Sequence, residues 1–241
     1  MTQTETENVK IIKKMDDEIH IEINGSQHIL KYEDGDGTHG IVNIYTDNTL
    51  FVVTFEDTYD RYDKGNIIAI GSTKLEAIKK AKKFFISQML HLKQRYLDVI
   101  TSIIEILNDL DDDILRDDLI SEAMDLYAKL YNIKGLAIYY AIEKVIDETT
   151  KIIRRIMKED PNIAVELFRL VYDFDDLVDT EMDRYKRLLA ITDAYKSILY
   201  LEKKLECEAS GKDEWLCVNT ACDFLKQLEN KAKERVKKIF S

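Results

Sequence analysis

The stretch GSTKLEAIKKA, residues 71–81, divides the chain into two parts of different composition. Six of the eight glycines lie at or before Gly71, and the 170 residues after it contain two glycines and the single proline, Pro161. Because glycine and proline mark turns, a long stretch almost free of both is typical of long helices. The sequence therefore predicts a small turn-rich β unit followed by a large helical unit.

Short apolar segments before residue 71 have the alternation and turn spacing of β-strands. They are VKIIKK (9–14), EIHIEI (18–23), QHILKY (27–32), IVNIY (41–45), LFVVTF (50–55) and IIAI (67–70). In EIHIEI the isoleucines alternate with polar residues, which places all three on one face of the strand. Asn24-Gly25 then supplies the two positive-φ positions of a tight hairpin turn. These features predict an antiparallel β-meander of about five strands.

The residues after Gly71 predict one long helix, from about residue 73 to residue 109. Thr73 can cap this helix, with Glu76 three residues later as in a capping box. Apolar residues then recur at steps of three and four from Leu75 to Leu107, which is the period of a helix. We expect the meander to pack on this helix, and the helix to continue beyond the sheet into the helical unit.

Helical periodicity returns at about residues 112–132, 134–158, 161–205 and 213–240. Asp160-Pro161 has the form of an N-cap followed by a first helical residue, and the helix that it starts is expected to break near residues 172–176. The predicted fold class is α+β, with the meander on a long helix followed by an irregular antiparallel helical bundle. The predicted organisation is a flexible N-terminus (1–8), a small β-rich domain (9–72) and an α-helical bundle domain (73–241).

Charge and hydropathy restrict the classes of function. The formal net charge is −11, and residues 1–71 carry 6 basic and 14 acidic side chains. An acidic chain is a poor general binder of nucleic acid, because phosphate contacts supply much of that affinity. No run of about 18 uncharged apolar residues and no apolar signal segment is present, so we predict a cytoplasmic protein without a membrane partner. The supply of Ile, Lys, Glu and Tyr with few prolines is typical of a thermophile or of an AT-rich genome. An archaeal or viral system is a further hypothesis.

The three cysteines, Cys207, Cys217 and Cys222, are too few for a disulfide framework and favour a reducing compartment. A Cys207–Cys217 bridge across a helical hairpin stays open as an alternative, because disulfides also occur inside hyperthermophiles. Cys217 and Cys222 lie among apolar residues of one helix, and we expect them to behave as buried small hydrophobes.

An acidic motif of the form DDxxD lies at Asp175, Asp176 and Asp179. Carboxylates at this spacing share a helix face and can hold Mg²⁺ ions that clamp a diphosphate. The stretch looks like the motif of all-α isoprenoid-type synthases, which implies Mg²⁺ as a cofactor and a second acidic cluster, for which residues 111–118 are the candidate. The apolar stripe of the same helix places these aspartates toward solvent, where they need no function, so we keep the metal site as an alternative.

Two further patterns have plain structural interpretations beside a metal-binding one. His20 and His28 can face each other across the hairpin and hold zinc with a third ligand, although exposed hairpin histidines are commoner. The loop DGDG at residues 34–37 has some likeness to a calcium loop but lacks the bidentate glutamate at its twelfth position, so we predict a turn.

Basic residues are concentrated on two predicted helices, and they form the candidate binding sites. The candidates for contact with nucleic acid or a partner protein are Lys79, Lys80, Lys83, Lys93, Arg95, Lys231, Arg235 and Lys238. If adjacent, two such faces can grip a phosphate backbone. They can also pair with the acidic stretches near residues 109–118 and 173–183, within one chain or between subunits, or they can be solvated helix faces.

The segment GSTKLEAIKKA also resembles the "G-x-T-x-x-E-A-I-x-x-A" start of the helix in small β-β-β-α modules, such as those of HicB-like antitoxin domains. The resemblance implies the shape of the unit. It does not imply DNA binding, because the meander here is acidic where a DNA-binding sheet presents Arg and Lys.

No catalytic motif of high specificity is present, so we predict a non-enzymatic interaction protein, an accessory or regulatory subunit of a larger assembly. One alternative is a nucleic-acid-binding protein that uses the basic faces of helices 73–109 and 213–240. Another is a Mg²⁺-dependent enzyme that acts on a diphosphate. Protein partners are expected, and a homodimer through the long helices is a further alternative.

Overall fold

The computed structural model describes residues 9–15, 17–35, 42–56, 66–172 and 180–241, with side chains for all of these except residues 172 and 180–186. In this part of the chain, six strands form one antiparallel sheet in the order β1-β2-β3-β4-β5-β6. The strands are β1 (Val9–Lys14), β2 (Glu18–Ile23), β3 (Ser26–Gly35), β4 (Val42–Thr46), β5 (Phe51–Phe55) and β6 (Asn66–Gly71). The predicted meander is confirmed, with six strands where about five were expected.

Local turn chemistry sets the register of the first hairpins. Asn24 and Gly25 have φ values of 52° and 81°, and Ile23 pairs with Ser26 directly across the turn. Glycine adopts such angles without steric cost and asparagine tolerates them, so the predicted hairpin is confirmed. Between β4 and β5, Asn48 has φ 70°, and Thr46 pairs with Phe51 across that turn.

One face of the sheet carries an apolar cluster that draws on strands β2 to β5. Its buried members are Ile19, Ile21, Leu30, Tyr45 and Val52, and half-buried residues of β1 and β6 pack against them. Ile23 also packs against this cluster, so the predicted alternation of isoleucines is confirmed. The cluster holds the meander together by removing apolar side chains from water.

Six helices follow the sheet in the described residues. They are α1 (Lys74–Leu107), α2 (Asp113–Tyr131), α3 (Ala137–Ile156), α4 (Pro161–Tyr172), α5 (Thr180–Glu208) and α6 (Glu214–Phe240). The α+β fold class is therefore as predicted. The carboxylate of Asp160 accepts hydrogen bonds from the backbone N–H groups of Asn162 and Ile163, at 2.9 and 3.1 Å, so Asp160 caps α4 as predicted.

The sheet packs on the first turns of α1. The ring of Phe55 meets the ring of Phe85 edge to face, with 5.3 Å between centroids, and Ile78 and Ala81 are fully buried. A Cβ atom on Gly71 would lie 2.6 Å from the backbone nitrogen of Ala77. Only a glycine therefore permits this close approach between the end of β6 and the first turn of α1.

Close contacts group the chain into two units. One consists of the described residues of Met1–Ser87 together with Leu189–Gln227, and the other of Gln88–Leu188 together with Leu228–Ser241. The predicted domain boundary between residues 72 and 73 was based on the change in amino-acid composition, whereas these two units are defined by contacts between residues. It places the first turns of α1 and most of α5 in the unit that contains the sheet.

A disulfide joins Cys207 near the end of α5 to Cys217 in the first turn of α6, and both residues are buried. The bridge that the sequence left open is thus formed. Cys222 is a free cysteine and is exposed. The expectation of buried free cysteines at Cys217 and Cys222 is therefore wrong, because Cys217 is buried but paired and Cys222 is free but exposed.

Among the described residues, no helix has both the length and the apolar character needed to cross a membrane.

Candidate interaction surfaces

The exposed side of the first turns of α1 combines apolar and cationic side chains. Leu75, Lys79, Lys83 and Ile86 follow one another at steps of four, four and three residues, so they form one stripe on the helix. Leu75 is 38% exposed and Ile86 is 37% exposed, and both lysines are exposed. We call these four residues the α1 surface. The predicted apolar stripe of α1 started at Leu75, but the buried residues of this turn are Ala77 and Ile78, and Leu75 lies on the exposed side.

A shallow concavity of about 420 Å³ lies along this surface. The described residues that line it are Thr73, Leu75, Glu76, Lys79, Lys80 and Lys83. Three of the predicted binding residues, Lys79, Lys80 and Lys83, are thus brought together at one depression. The concavity offers a partner side chain apolar contact with Leu75 and a positive rim.

Glu76 contacts Ser72 and Lys80 near the start of α1, and it does not neutralise Lys79 or Lys83 at the rim of the concavity. Its carboxylate accepts hydrogen bonds from the hydroxyl and backbone N–H groups of Ser72, at 2.7 and 2.9 Å, and pairs with Lys80 at 3.1 Å. These contacts, the Ser72 hydroxyl first, lower the pKa of Glu76 to about 2. Glu76 therefore stays charged, while Lys79 and Lys83 make no hydrogen bond or ion pair with a described residue.

The cap of α1 departs slightly from the predicted capping box. The Thr73 hydroxyl accepts from the backbone N–H of Glu76 at 3.1 Å, as expected for an N-cap. The Glu76 carboxylate reaches back one residue further than predicted, to Ser72 in place of Thr73. The first turn of α1 is therefore held by two contacts, from the Thr73 hydroxyl to the Glu76 N–H group and from the Glu76 carboxylate to Ser72.

Other lysines of α1 have internal roles. Lys82 donates to Glu202 at 2.5 Å, and Lys93 donates to the carbonyl oxygens of Tyr131 and Ile133, at 2.5 and 2.9 Å. Burial lowers the pKa of Lys93, and Lys134 adds to the effect. Lys93 thus satisfies the last carbonyl group of α2 and one just after it, so this predicted site residue has a role within the chain that requires no partner protein. Arg95 is exposed on the same helix.

The second predicted basic face lies on α6, in the unit that contains Leu228–Ser241. Lys231, Arg235 and Lys238 are exposed and follow one another at steps of four and three, so they share one side of the helix. Ala232 and Val236 are buried on the other side. No described residue forms an ion pair with these three cations.

The acidic motif at Asp175, Asp176 and Asp179 lies outside the described residues, so the metal-site alternative stays a prediction. In the candidate second cluster, Asp112 caps α2 by accepting from the backbone N–H groups of Ile114 and Leu115. Asp118 accepts from Arg155 at 2.5 Å. Within the described parts of the chain, no three His, Cys, Asp or Glu side chains are grouped so that they could hold a metal ion.

The alternative in which His20 and His28 share a zinc ion is wrong. In the β2–β3 register His20 pairs with Ile29, and His28 pairs with Ile21. Adjacent residues on a strand point to opposite faces, so His20 and His28 lie on opposite sides of the sheet and cannot share a zinc ion. His20 contacts Glu18 at 2.6 Å, and His28 contacts Asp47 at 3.2 Å.

Asp34 is paired with lysine side chains and not arranged as a calcium ligand. Its carboxylate accepts from Lys74 at 2.7 Å and from Lys204 at 3.4 Å, and its other oxygen accepts from the backbone N–H of Gly35. Asp34 belongs to β3, so the predicted turn begins later in the chain than residue 34. The remaining residues of that loop, 36 and 37, lie outside the described chain.

Sequence reasoning missed an apolar surface at the start of α6. Trp215, the only tryptophan of the chain, is 74% exposed, and Leu216 is 45% exposed. The signal was present in the spacing, because the buried residues Cys217 and Ala221 define the inner side of α6. Trp215, two residues before Cys217, falls on the outer side.

Comparison with protein-family models, with curated proteins and with solved structures finds no match to this chain.

Proposed function

We propose that this chain is a non-enzymatic interaction protein, an accessory or regulatory subunit of a larger assembly, and that the α1 surface contacts its partner. The observation that carries the proposal is the exposure of Leu75 and Ile86 on the same stripe as Lys79 and Lys83, beside a concavity. Protein interfaces combine exposed apolar anchors with polar rims in this way. The neighbouring lysines Lys74 and Lys82 are paired within the chain, which singles out Lys79 and Lys83 as cations free for a partner.

The test is an affinity pull-down of the full chain from its native host, with and without nuclease, read by mass spectrometry. We expect protein partners that survive nuclease and that are lost with Lys79→Glu/Lys83→Glu. The matched control is Arg154→Glu/Lys158→Glu, which reverses two exposed cations four residues apart, one in α3 and one just after its end, and should leave capture unchanged. Equal capture by all three proteins would exclude the α1 surface as the partner site.

The exposed stripe of α6 favours nucleic-acid binding as a second candidate function. Lys231, Arg235 and Lys238 lie on one helix side without an acidic partner among the described residues, which suits a phosphate backbone. We expect single-stranded or duplex oligonucleotides to bind with an affinity that falls steeply between low and physiological salt. Lys231→Glu/Arg235→Glu should abolish that binding. An affinity independent of salt, or unchanged in the variant, would remove this candidate.

A further inference from the structure

Two lysines of the α1 surface carry positive charge that no described residue balances. The other lysines in the first turns of α1, which are Lys74, Lys80 and Lys82, each form an ion pair with a carboxylate of the chain. Lys79 and Lys83 form none with a described residue, and both side chains are exposed. The α1 surface therefore presents two free positive charges, which attract a partner of opposite charge.

The spacing of these two charges determines which charges they can pair with. Lys79 and Lys83 are separated by one turn of α1, which is about 6 Å along the helix axis. Carboxylates at positions i and i+4 of a helix, or i and i+2 of a strand, have a similar separation. Two acidic residues of one protein segment can therefore face both lysines at once. Complementary charges of this kind speed association and exclude partners of the wrong charge.

The apolar part of the α1 surface requires an apolar side chain on the same segment. Leu75 and Ile86 lie on either side of the two lysines along the stripe and are 38% and 37% exposed. Leu75 also lines the concavity of about 420 Å³, together with Lys79 and Lys83. A concavity accepts a protruding side chain as an anchor, whereas a flat lipid surface leaves it unfilled. A Leu or Phe side chain placed there removes apolar area of both partners from water.

We propose that the α1 surface binds an acidic protein segment, with two carboxylates on Lys79 and Lys83 and one large apolar side chain in the concavity beside Leu75. The inference rests on the proposed function, because it names the chemistry of the partner at the same surface. Nucleic acid fits this surface less well, because two cations make few phosphate contacts and the carboxylate of Glu76 also lines the concavity.

Selection of random dodecapeptides, displayed on phage, against the immobilised full chain tests this inference. We expect the enriched peptides to carry at least two Asp or Glu residues and a large apolar residue. A synthetic peptide of the most enriched sequence should bind the full chain more weakly as the salt concentration rises, because salt screens the ion pairs. Enrichment of neutral or basic peptides, or no enrichment at all, overturns the inference.

Matched variants assign the binding to the α1 surface. Lys79→Glu/Lys83→Glu should weaken binding of the enriched acidic peptide at least about tenfold, because two attractions become repulsions. Leu75→Ser should weaken it about fivefold, because less apolar area is buried. Lys231→Glu/Arg235→Glu, on the basic side of α6, should bind the peptide as the wild type does. Wild-type affinity in Lys79→Glu/Lys83→Glu, or loss of binding in the α6 variant alone, overturns the inference.

A second selection, against Lys79→Glu/Lys83→Glu, separates a lost charge from a lost fold. The folded variant should enrich basic peptides in place of acidic ones, because the two exposed charges are then negative. Continued enrichment of acidic peptides, with far-UV circular dichroism unchanged, overturns the inference. Binding of the wild type to phosphatidylglycerol vesicles, without enrichment of acidic peptides, assigns the surface to a lipid and also overturns it.

The inference and the proposed function fail differently. Host partners that are lost with Lys79→Glu/Lys83→Glu, together with enriched peptides that lack acidic residues, overturn the acidic chemistry and leave the proposed function intact. Capture of host partners that is unchanged in that variant removes the α1 surface from the proposed function. Arg154→Glu/Lys158→Glu serves as the control in both experiments.

Discussion

A single carboxylate, that of Asp47, holds the turn between β4 and β5. One oxygen accepts from the Thr49 hydroxyl at 2.6 Å and from the backbone N–H groups of Thr49 and Leu50, each at 2.9 Å. The other contacts His28 of the neighbouring β3. Burial raises the pKa of Asp47, but the hydrogen bonds from Thr49, His28 and Leu50 prevail and lower it to about 2.

The lowered pKa makes the fold sensitive to acid. A carboxyl whose pKa is lower in the folded than in the unfolded state stabilises the fold above its unfolded pKa, here 3.8. That contribution is lost as the pH falls from about 4 to about 2. The side chain is 23% exposed, so we expect about 1 kcal/mol after solvent screening. Urea unfolding of wild type and Asp47→Asn at pH 6 and pH 2 measures it.

The difference between wild type and Asp47→Asn should shrink at pH 2, because Asp47 is then protonated in the unfolded chain and about half protonated in the folded one. Asp109→Asn, at an exposed position, should leave the free energy of unfolding unchanged at both pH values. A constant difference between wild type and Asp47→Asn would show that the charge of Asp47 contributes nothing.

Among the elements, α5 and α6 are joined by the disulfide between Cys207 and Cys217, which are ten residues apart. Closing a loop of this length restricts the unfolded chain and is worth about 3 kcal/mol in the chain-entropy account. We expect Cys207→Ser/Cys217→Ser to lower the free energy of unfolding by that amount. Chemical denaturation with and without a thiol reductant measures it.

Cys222→Ser is the matched control, because Cys222 is exposed and unpaired. Its unfolding should equal that of the wild type under oxidising conditions, and reductant should destabilise both proteins alike. If reductant left the wild-type midpoint unchanged, the bridge would contribute nothing to stability.

The junction of β6 and α1 depends on the absence of a side chain at Gly71. In Gly71→Ala the new Cβ would lie 2.6 Å from the backbone nitrogen of Ala77 and 3.0 Å from the carbonyl oxygen of Thr73. Backbone atoms cannot rotate away, so the strand or the helix must shift, at about 1–3 kcal/mol. Thermal unfolding should show a lower midpoint, whereas Ser26→Ala, at an exposed position of the sheet, should not. An unchanged midpoint in Gly71→Ala would mean that the junction adapts freely.

Local chemistry made the elements predictable. The hairpin at Asn24-Gly25, the cap at Asp160 and the start of α1 each follow from neighbouring residues, and each was predicted from the sequence. The Cys207–Cys217 disulfide was left open as an alternative, because it depends on how α5 and α6 pack. The exposure of Trp215 was missed, although its spacing from Cys217 and Ala221 places it on the outer side of α6. Leu75 was placed on the apolar stripe because its spacing is helical, but it lies on the exposed side of α1.

The candidate site was predicted in part. Lys79, Lys80 and Lys83 lie at one concavity, as a basic helix face suggests. The internal role of Lys93 could not be predicted, because its acceptors, the carbonyl oxygens of Tyr131 and Ile133, are about 40 residues away in the chain. Charge patterns locate basic faces but do not tell which cations are already paired.

At the scale of the whole molecule, Asp34 ties together segments that are far apart in sequence. It binds Lys74, 40 residues later, and Lys204, 170 residues later. Burial lowers the pKa of Lys204, but the nearby charges of Asp34 and Glu208 prevail and raise it. The side chains of all three members are 12–17% exposed. Removing the central charge would leave the two half-buried ammonium groups with only longer contacts, from Lys74 to Glu33 at 3.7 Å and from Lys204 to Glu208 and Glu214 at 3.8 and 3.7 Å.

We expect Asp34→Asn to lower the free energy of unfolding by about 2 kcal/mol, between the values for exposed and for fully buried ion pairs. Asparagine keeps an acceptor for the Gly35 N–H group, so the change in the free energy of unfolding measures the contribution of the negative charge of Asp34. Glu33→Gln is the control, because Glu33 is 44% exposed and 3.7 Å from Lys74, and it should change little. Equal effects in the two variants, measured by urea unfolding, would contradict the central role of Asp34.

The division of the chain into interleaved units also sets an order of events during synthesis. The sheet and the first turns of α1 leave the ribosome roughly 100 residues before Leu189–Gln227, the segment that completes their unit. At ordinary translation rates of about 5–20 residues per second, this gap lasts on the order of 5–20 s. For that time the nascent sheet is without its later helices, and we expect it to be a client for chaperones that hold incomplete apolar surfaces on growing chains.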